Sequence, residues 1–120
     1  MRTDYIYPAI FEQDEDGTYV VSFPDLPEAL TGSDNIEEAI DLAEDCLAEA
    51  LATRIVEREE IPQPSPAADD QALVTCPARI ALKVAIYQGM SEQKMTKVKL
   101  AELLEVNEKE ARRITDPHYN

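Results

Sequence analysis

Acidic side chains near the start of the chain are the groups best suited to do chemistry. Carboxylates that converge on a pair of divalent metal ions catalyse hydrolysis in nucleases. Five carboxylates are available: Asp4, Glu12, Asp14, Glu15 and Asp16. Four of them lie in or beside one short loop that ends at Gly17, where turn preferences and solubility already account for them. We therefore expect no catalytic residues and no enzyme activity.

The other reactive side chains form no recognisable catalytic or metal-binding pattern. Cys46 and Cys76 lack metal-ligand spacing, and no signal-peptide pattern opens the chain, so we expect two free thiols in a cytoplasmic protein. Cys46 falls on the apolar stripe of a predicted helix and is expected in the core. His118 has no nucleophile near it in sequence, and we interpret it as part of the tail or as a phosphate contact. No cofactor and no metal are expected.

Charge is distributed unevenly along the 120 residues, whose net charge is −14. Residues 1–66 hold three basic side chains against 17 carboxylates, whereas residues 67–120 hold eight of each. Such asymmetry suggests two kinds of partner. The acidic half would attract a basic protein and repel nucleic acid, although an acidic surface that only maintains solubility would have the same composition.

Alternation of apolar residues predicts strands in the first third of the chain. The first runs from Asp4 to Glu12, and Pro8 within it favours an edge position or a bulge because proline cannot donate to a central ladder. A hairpin loop leads to a second strand, Thr18 to Phe23. Ala29 to Gly32 is predicted as a short third strand.

One long helix is predicted from Asn35 to about Glu59. Asn35, or Asp34 before it, can cap the helix, and Glu38 would complete a capping box. Apolar residues then recur at three- and four-residue steps, which predicts one face packed on a sheet. They are Ile36, Ala39, Ile40, Ala43, Cys46, Leu47, Ala50, Leu51 and Ile55.

A turn with two prolines joins the second strand to the predicted third strand, which leads into this helix. The stretch contains Tyr19-x-Val21-x-Phe23-Pro24-Asp25-Leu26-Pro27, followed by Thr31-Gly32-x-Asp34-x-x-Glu37-Glu38-Ala39. This combination resembles the signature of the HicB antitoxin family. The resemblance implies a partial RNase H-like fold without catalysis. It also implies a partner, HicA, which is a small basic ribonuclease toxin of double-stranded-RNA-binding fold.

An exposed aromatic residue beside an acidic turn is a common form of interface anchor. For the toxin interface we therefore predict Tyr19, Phe23, Asp25 and Leu26. The alternative, that Tyr19 and Phe23 face the core, stays open at this point.

The second half begins with a proline-rich linker, residues 61–71, which favours an extended, semi-rigid conformation. Residues 72–76 could form one more strand, added to the first sheet or to the sheet of a partner. From Arg79 onward a helix is apolar on more than one side, which predicts at least a dimer, formed mainly by the C-terminal half.

Two shorter helices follow, and they resemble the helix-turn-helix of repressors. The matching residues are Thr96, Leu100, Ala101, Leu104, Val106, Asn107, Ala111 and Ile114. The resemblance implies DNA contacts from Thr96, Lys97, Asn107, Lys109, Arg112 and Arg113. Three features depart from the pattern: Glu105 replaces the usual turn glycine, Glu108 and Glu110 put acids on the recognition helix, and the chain stops before the closing helices that such domains normally carry.

The sequence thus predicts an α+β fold, with a small antiparallel sheet and one long helix (a partial RNase H-like fold) followed by an all-α helix-turn-helix domain. The predicted divisions are a toxin-binding domain at 1–60, the linker at 61–71 and a DNA-binding or dimerisation domain at 77–120. The predicted function is an antitoxin that neutralises a HicA-like toxin and binds operator DNA. The alternatives are a transcription regulator without a toxin partner and a metal-dependent nuclease.

Overall fold

The computed structural model describes residues 4–119, which form a four-stranded antiparallel sheet and four helices. The strands are β1 (Ile6–Gln13), β2 (Tyr19–Phe23), β3 (Leu26–Ser33) and β4 (Ala72–Thr75), in the order β3-β2-β1-β4. The helices are α1 (Ile36–Val56), α2 (Ala78–Glu92), α3 (Lys97–Leu104) and α4 (Glu108–Thr115). A small antiparallel sheet, a long helix and then further helices confirm the predicted fold class. None of the helices in the described range is long and apolar enough to cross a membrane.

β1 is a central strand, so the edge position predicted from Pro8 is wrong. The first half of β1 pairs with β4 and its second half with β2. Cys76 N donates to Tyr5 O, and ladder hydrogen bonds alternate along an antiparallel pair. Pro8, opposite Leu73, therefore falls at a position that does not donate to β4, and its pairing with β2 would begin only at Ile10. A central proline is tolerated here because no ladder bond needs its missing N–H.

β2 and β3 form a tight hairpin around the double-proline turn. Phe23 pairs with Leu26, with an irregularity in register between Ser22 and Phe23, so β3 begins three residues earlier than predicted. Pro27 is acceptable in this strand because β3 lies at the sheet edge. At the other end of the hairpin, a Cβ on Gly32 would come within 2.8 Å of Tyr19 O, so the close approach of the two strands requires glycine there.

Asn35 caps α1, as predicted, by accepting hydrogen bonds from the N–H groups of Glu37 and Glu38. The N–H of Asn35 itself donates to Ser33 Oγ, so a serine before the cap takes the role predicted for the Glu38 side chain. Most of the apolar stripe is buried on the sheet, but Ile36 and Ile40 remain 40% and 48% exposed. The first turns of α1 thus extend beyond the surface that the sheet covers.

The core continues past the predicted boundary at residue 77. α2 buries Ile80, Ala81, Val84 and Ala85 in the same cluster as β1, β2 and α1. The Tyr5 hydroxyl also donates to Gln88 Oε1. α2 therefore shares the core of the first half and also packs on α4; the division at residue 77 stays a prediction.

The linker lies along the first half of the molecule. Ile61 is buried, the Tyr7 hydroxyl donates to Pro62 O at 2.7 Å, and the Arg54 guanidinium donates to Glu60 O at 2.9 Å. β4 then joins the first sheet beside β1, which decides between the two possibilities left open by the sequence. The start of the linker is thus held by specific contacts.

Candidate functional site

The four residues predicted for the toxin interface lie in different surroundings along β2 and the double-proline turn. Phe23 and Leu26 are 1% and 0% exposed, so they are core residues that fix the hairpin. Tyr19 is half-buried and packs against the core from the opposite end of β2. Tyr19 opens β2 and Asp25 lies in the turn after its end, so the four extended steps from Tyr19 to Phe23 alone span about 13 Å at ~3.3 Å per residue. The four side chains therefore do not form one exposed cluster.

Asp25 anchors the linker. Its Oδ1 accepts a hydrogen bond from Ser65 Oγ at 2.6 Å and its Oδ2 accepts one from Ser65 N at 2.8 Å. Two bonds to one carboxylate fix Ser65 over the turn, 40 residues away in sequence. Ser65 is thus a positioning residue that sequence patterns did not indicate, because a lone serine between prolines carries no periodic signal.

A second clamp holds the start of β3 to the C-terminal end of α1. Arg54 donates to both carboxylate oxygens of Glu28, at 2.6 and 3.0 Å. The side-chain hydrogen bond from Arg54 lowers the pKa of Glu28. Because the same guanidinium also reaches Glu60 O, it connects β3, the end of α1 and the start of the linker.

An apolar groove of about 510 Å³ lies between the start of α1 and β4. It is lined by Phe11, Ile36, Ile40, Glu44 and residues 72–75 of β4. Leu73, which is 62% exposed, belongs to the strand that forms one wall. Sequence periodicity missed this groove because Ile36 and Ile40 fit the stripe of a fully buried face.

One of the carboxylates considered for metal binding, Asp14, stabilises the hairpin loop. Asp14 Oδ1 accepts hydrogen bonds from Asp16 N and Thr18 N, and Gly17 adopts φ +88°. Within residues 4–119 there is no group of three or more His, Cys, Asp or Glu side chains arranged to hold a metal ion. Asp14 thus has a structural role in the turn.

α3, the turn after it and α4 form the second candidate surface. Thr96 caps α3 by accepting from Lys99 N, and Asn107 caps α4 by accepting from Glu110 N. Glu105 adopts the left-handed conformation at φ +57°, where glycine is usual. Ala101 is buried, whereas Val106, another of the residues that match the helix-turn-helix pattern, is 37% exposed.

The basic residues predicted for DNA contact differ in their surroundings. Lys97, Lys109 and Arg112 are exposed. Lys97 and Arg112 both line a second groove, which is distinct from the apolar groove between α1 and β4. Arg113 is engaged with its neighbours: its guanidinium contacts Glu110 at 2.9 Å and lies 5.3 Å from the ring centroid of Tyr119. Lys97, Lys109 and Arg112 are therefore the better-placed cations for an external phosphate.

Two basic residues of α2 hold the C-terminal end of α4. Lys83 Nζ donates to Arg113 O at 2.9 Å and to Ile114 O at 2.8 Å, and Arg79 donates to Pro117 O at 2.9 Å. Burial lowers the pKa of Lys83, and the two carbonyls at the negative end of the helix dipole are its partners. The sequence carries a signal for this contact, a single lysine within an apolar helix stretch, although no role was predicted for Lys83.

The tail also contacts the first half. His118 Nε2 lies 3.2 Å from Glu49 Oε1 on α1, so the structure places this histidine against a carboxylate, and the tail interpretation fits it better than a phosphate contact.

Both cysteines are free thiols. Cys76 is buried, and burial raises the pKa of its thiol to about 12. Cys46 is half-buried against the core, and burial raises its pKa as well. A raised pKa disfavours the reactive thiolate, so neither cysteine has the environment of a nucleophile.

Comparisons with known proteins match most of the chain to one protein family, the family that the sequence signature resembles. Residues 6–85 match the model of the HicB-like antitoxins of bacterial toxin–antitoxin systems. The chain is 44% identical over 114 residues to antitoxin HicB 2 of Photorhabdus laumondii, covering 95% of this chain and 80% of that protein. It is 31% identical over 113 residues to antitoxin HicB of Escherichia coli K12, covering 94% of this chain and 82% of that protein.

A solved structure also resembles the whole arrangement. A chain in a toxin–antitoxin complex from Streptococcus pneumoniae aligns with a TM-score of 0.52 and 25% sequence identity, covering 89% of this chain and 92% of that one.

Proposed function

This chain belongs to the HicB-like antitoxin family and is the antitoxin of a toxin–antitoxin system, and from that premise we propose that it binds and neutralises a small basic ribonuclease of the HicA type and represses its own operon. The observation that carries the proposal is the 44% identity to an antitoxin over 95% of the chain. The finer activities rest on the charges and geometry of the two halves.

The first half is suited to a basic protein partner. The exposed face of α1 carries carboxylates along its length, and residues 1–66 hold three basic side chains against 17 acidic ones. Complementary charge accelerates association and orients the encounter. Of the predicted interface residues, Asp25 and Tyr19 have side chains that reach the surface, whereas Phe23 and Leu26 would act by holding the turn in shape.

The second half is suited to a phosphate backbone. Asn107 opens α4, and Lys109 and Arg112, three residues apart, lie on one side of it. Thr96 and Lys97 open α3, where a helix N-terminus favours anions. Two such units in a two-fold dimer would read an inverted repeat spaced by about one helical turn, 34–36 Å.

Neutralisation is tested with the small protein encoded by the adjacent reading frame. Expressed alone, that protein should arrest growth and cleave RNA, and equimolar addition of this chain should suppress the cleavage because it covers the basic RNA-binding surface. Cleavage that continues at a several-fold excess of the chain would contradict the antitoxin mechanism proposed here.

Repression is tested by mobility shift on the DNA upstream of the chain's own gene, at two salt concentrations, with and without the toxin. If Lys109 reads a base, Lys109→Ala should cost about 1–3 kcal/mol and relax preference at one position. Lys97→Ala should weaken all sequences alike and reduce the salt slope by about one. No shift at either salt, from protein that still neutralises the toxin, would leave the C-terminal half as a dimerisation module.

The other hypotheses have less support. A regulator without a toxin partner is not favoured, because the relatives over most of the chain are named antitoxins. A nuclease would need converging carboxylates, whereas Asp14, one of the loop carboxylates, accepts hydrogen bonds from backbone N–H groups of its own loop. Labelled RNA and DNA incubated with the pure chain and a divalent metal would test for cleavage directly.

A further inference from the structure

One side of β4 is an open strand edge. Hydrogen-bonded pairs alternate along the ladder, and Cys76 N donates to Tyr5 O, so Val74 and Ala72 bond to β1 opposite Tyr7 and Ala9. The backbone groups of the alternate residues, Leu73 and Thr75, therefore point away from β1. Within residues 4–119 no strand pairs with that side of β4, so it offers a donor and an acceptor at two successive positions.

The apolar groove lies directly beside this open edge. Ile36 and Ile40 of α1 are 40% and 48% exposed and line the groove together with Phe11 and residues 72–75. In a strand, alternate side chains point to one face of the sheet. A strand added to β4 would thus direct every second side chain towards α1 and into a groove of about 510 Å³.

The charge around the groove selects the kind of strand. The segments that include its helix wall and its strand wall, residues 36–45 and 67–76, contain seven carboxylates and no lysine or arginine. Glu44 itself lines the groove. A second copy of this chain would bring a second set of seven carboxylates to the same place, which is unfavourable. A basic polypeptide would be attracted by them.

We propose that the toxin docks by adding one of its strands to the free edge of β4. The inference rests on the proposed function and makes it more specific, since it assigns the binding mode and the surface. Backbone hydrogen bonds to Leu73 and Thr75 supply part of the affinity, as in other strand-addition complexes. An apolar side chain of the added strand fills the groove between Ile36 and Ile40, and lysine or arginine side chains beside it face Glu44.

Hydrogen exchange on the labelled chain tests the hydrogen-bonding pattern. The probe is the small protein of the adjacent reading frame, unlabelled and in excess. Its binding should slow exchange of the Leu73 and Thr75 amides at least tenfold and leave the Val74 amide, already bonded to β1, nearly unchanged. If binding slows neither amide, the toxin docks elsewhere; the strand-addition inference is then overturned while the antitoxin function stands.

Substitutions test the groove and the edge separately. Ile40→Lys should weaken toxin binding at least tenfold, whereas Val56→Lys, a change at a similarly exposed aliphatic position of α1, should alter it less than twofold. Thr75→Pro removes an outward-facing donor and should weaken binding at least fivefold, and Thr75→Ala, which keeps the donor, should not. Equal binding by Ile40→Lys and Val56→Lys would overturn the inference even if Thr75→Pro fails to fold.

Two further outcomes are distinguishable from these. Protection of the Leu73 and Thr75 amides that appears in the chain alone, and grows with its concentration, would mean that a second copy occupies the edge, contrary to the inference. Failure of the unchanged chain to bind the toxin at all would overturn the proposed function and the inference with it.

Discussion

Replacing Lys83 with methionine should release the C-terminal end of α4 while the sheet and α1 stay folded. Methionine keeps most of the aliphatic stem that packs in α2, so little cavity is created. The change removes the ammonium that donates to Arg113 O and Ile114 O. It therefore tests one pair of hydrogen bonds between α2 and the helix proposed to enter the DNA groove.

The magnitude follows from the geometry of the site. Lys83 is 8% exposed, and a hydrogen bond to a charged group contributes about 1.5–3 kcal/mol. Two such bonds are offset in part by the cost of burying the ammonium, which is why burial lowers the pKa of Lys83. We expect a net loss of about 2–3 kcal/mol in the free energy that holds α4 in place. At about 1.4 kcal/mol per factor of ten, the opening equilibrium of α4 should rise about 30- to 140-fold.

Hydrogen exchange measures this opening directly, because Ala111 N bonds to Asn107 O and Asp116 N bonds to Arg112 O within α4. Both amides should lose protection in Lys83→Met, and toxin binding should be unchanged. The control is Lys99→Met, whose lysine forms only an exposed ion pair with Glu102 at 3.7 Å and should change protection by less than about threefold. Full protection of α4 in Lys83→Met would refute the role given to this lysine. An equal loss of protection at the sheet amides would also refute it, since that result would indicate global unfolding.

Three other outcomes are expected. Asp25→Lys should slow toxin association and weaken binding most at low salt. Ser65→Ala removes the hydroxyl bond to Asp25 without adding charge, so it should separate the electrostatic effect of Asp25 on the toxin from the loss of its bond to the linker. Unchanged affinity of Asp25→Lys at low salt would remove Asp25 from the interface. Replacing Cys46 and Cys76 with alanine should preserve neutralisation. Between pH 9 and about 12 the unchanged chain should lose stability relative to Cys76→Ala, because the pKa of the Cys76 thiol is near 9 in the unfolded chain and about 12 in the folded one. Parallel curves of stability against pH for the two proteins would contradict the assigned pKa. Light scattering at tens of micromolar should give a mass of at least twice the 13.4 kDa of one chain. Leu103 and Leu104 are exposed apolar candidates for the dimer contact. A mass of one chain would argue against the dimer.

Local patterns in the sequence were sufficient to locate most of the strands and helices. Alternation located β1 and β2, and the cap at Asn35 and the stripe after it located α1, because these signals depend on neighbours a few residues apart. The same stripe gave no warning that Ile36 and Ile40 are exposed, since periodicity shows which residues share a face and not how far the covering sheet extends. The burial of Phe23 could not be predicted for a similar reason, because the alternation of a strand does not reveal which of its two faces is covered.

Contacts between distant segments could not be predicted in this way. The bond between Asp25 and Ser65 spans 40 residues and joins two irregular segments, where no repeat records the pairing. The edge position predicted for β1 failed for a related reason: Pro8 excludes a ladder bond only at its own nitrogen, and that nitrogen needs no partner. Lys83 is different, because a lone charge in an apolar helix predicts a buried partner even when the partner itself is unknown.

The shared core has a consequence for dissecting the protein. Since α2 packs on α1 and buries four residues in the common core, a fragment that ends in the linker would expose that core and lose β4 as well. We expect such a fragment to be a substrate for quality-control proteases. The smallest piece that keeps the sheet half complete ends after α2, near Glu92, and the family match to residue 85 includes most of that helix. Deletion mapping that cuts at the prolines would therefore assign to a missing DNA-binding half defects that come from an unfolded toxin-binding half.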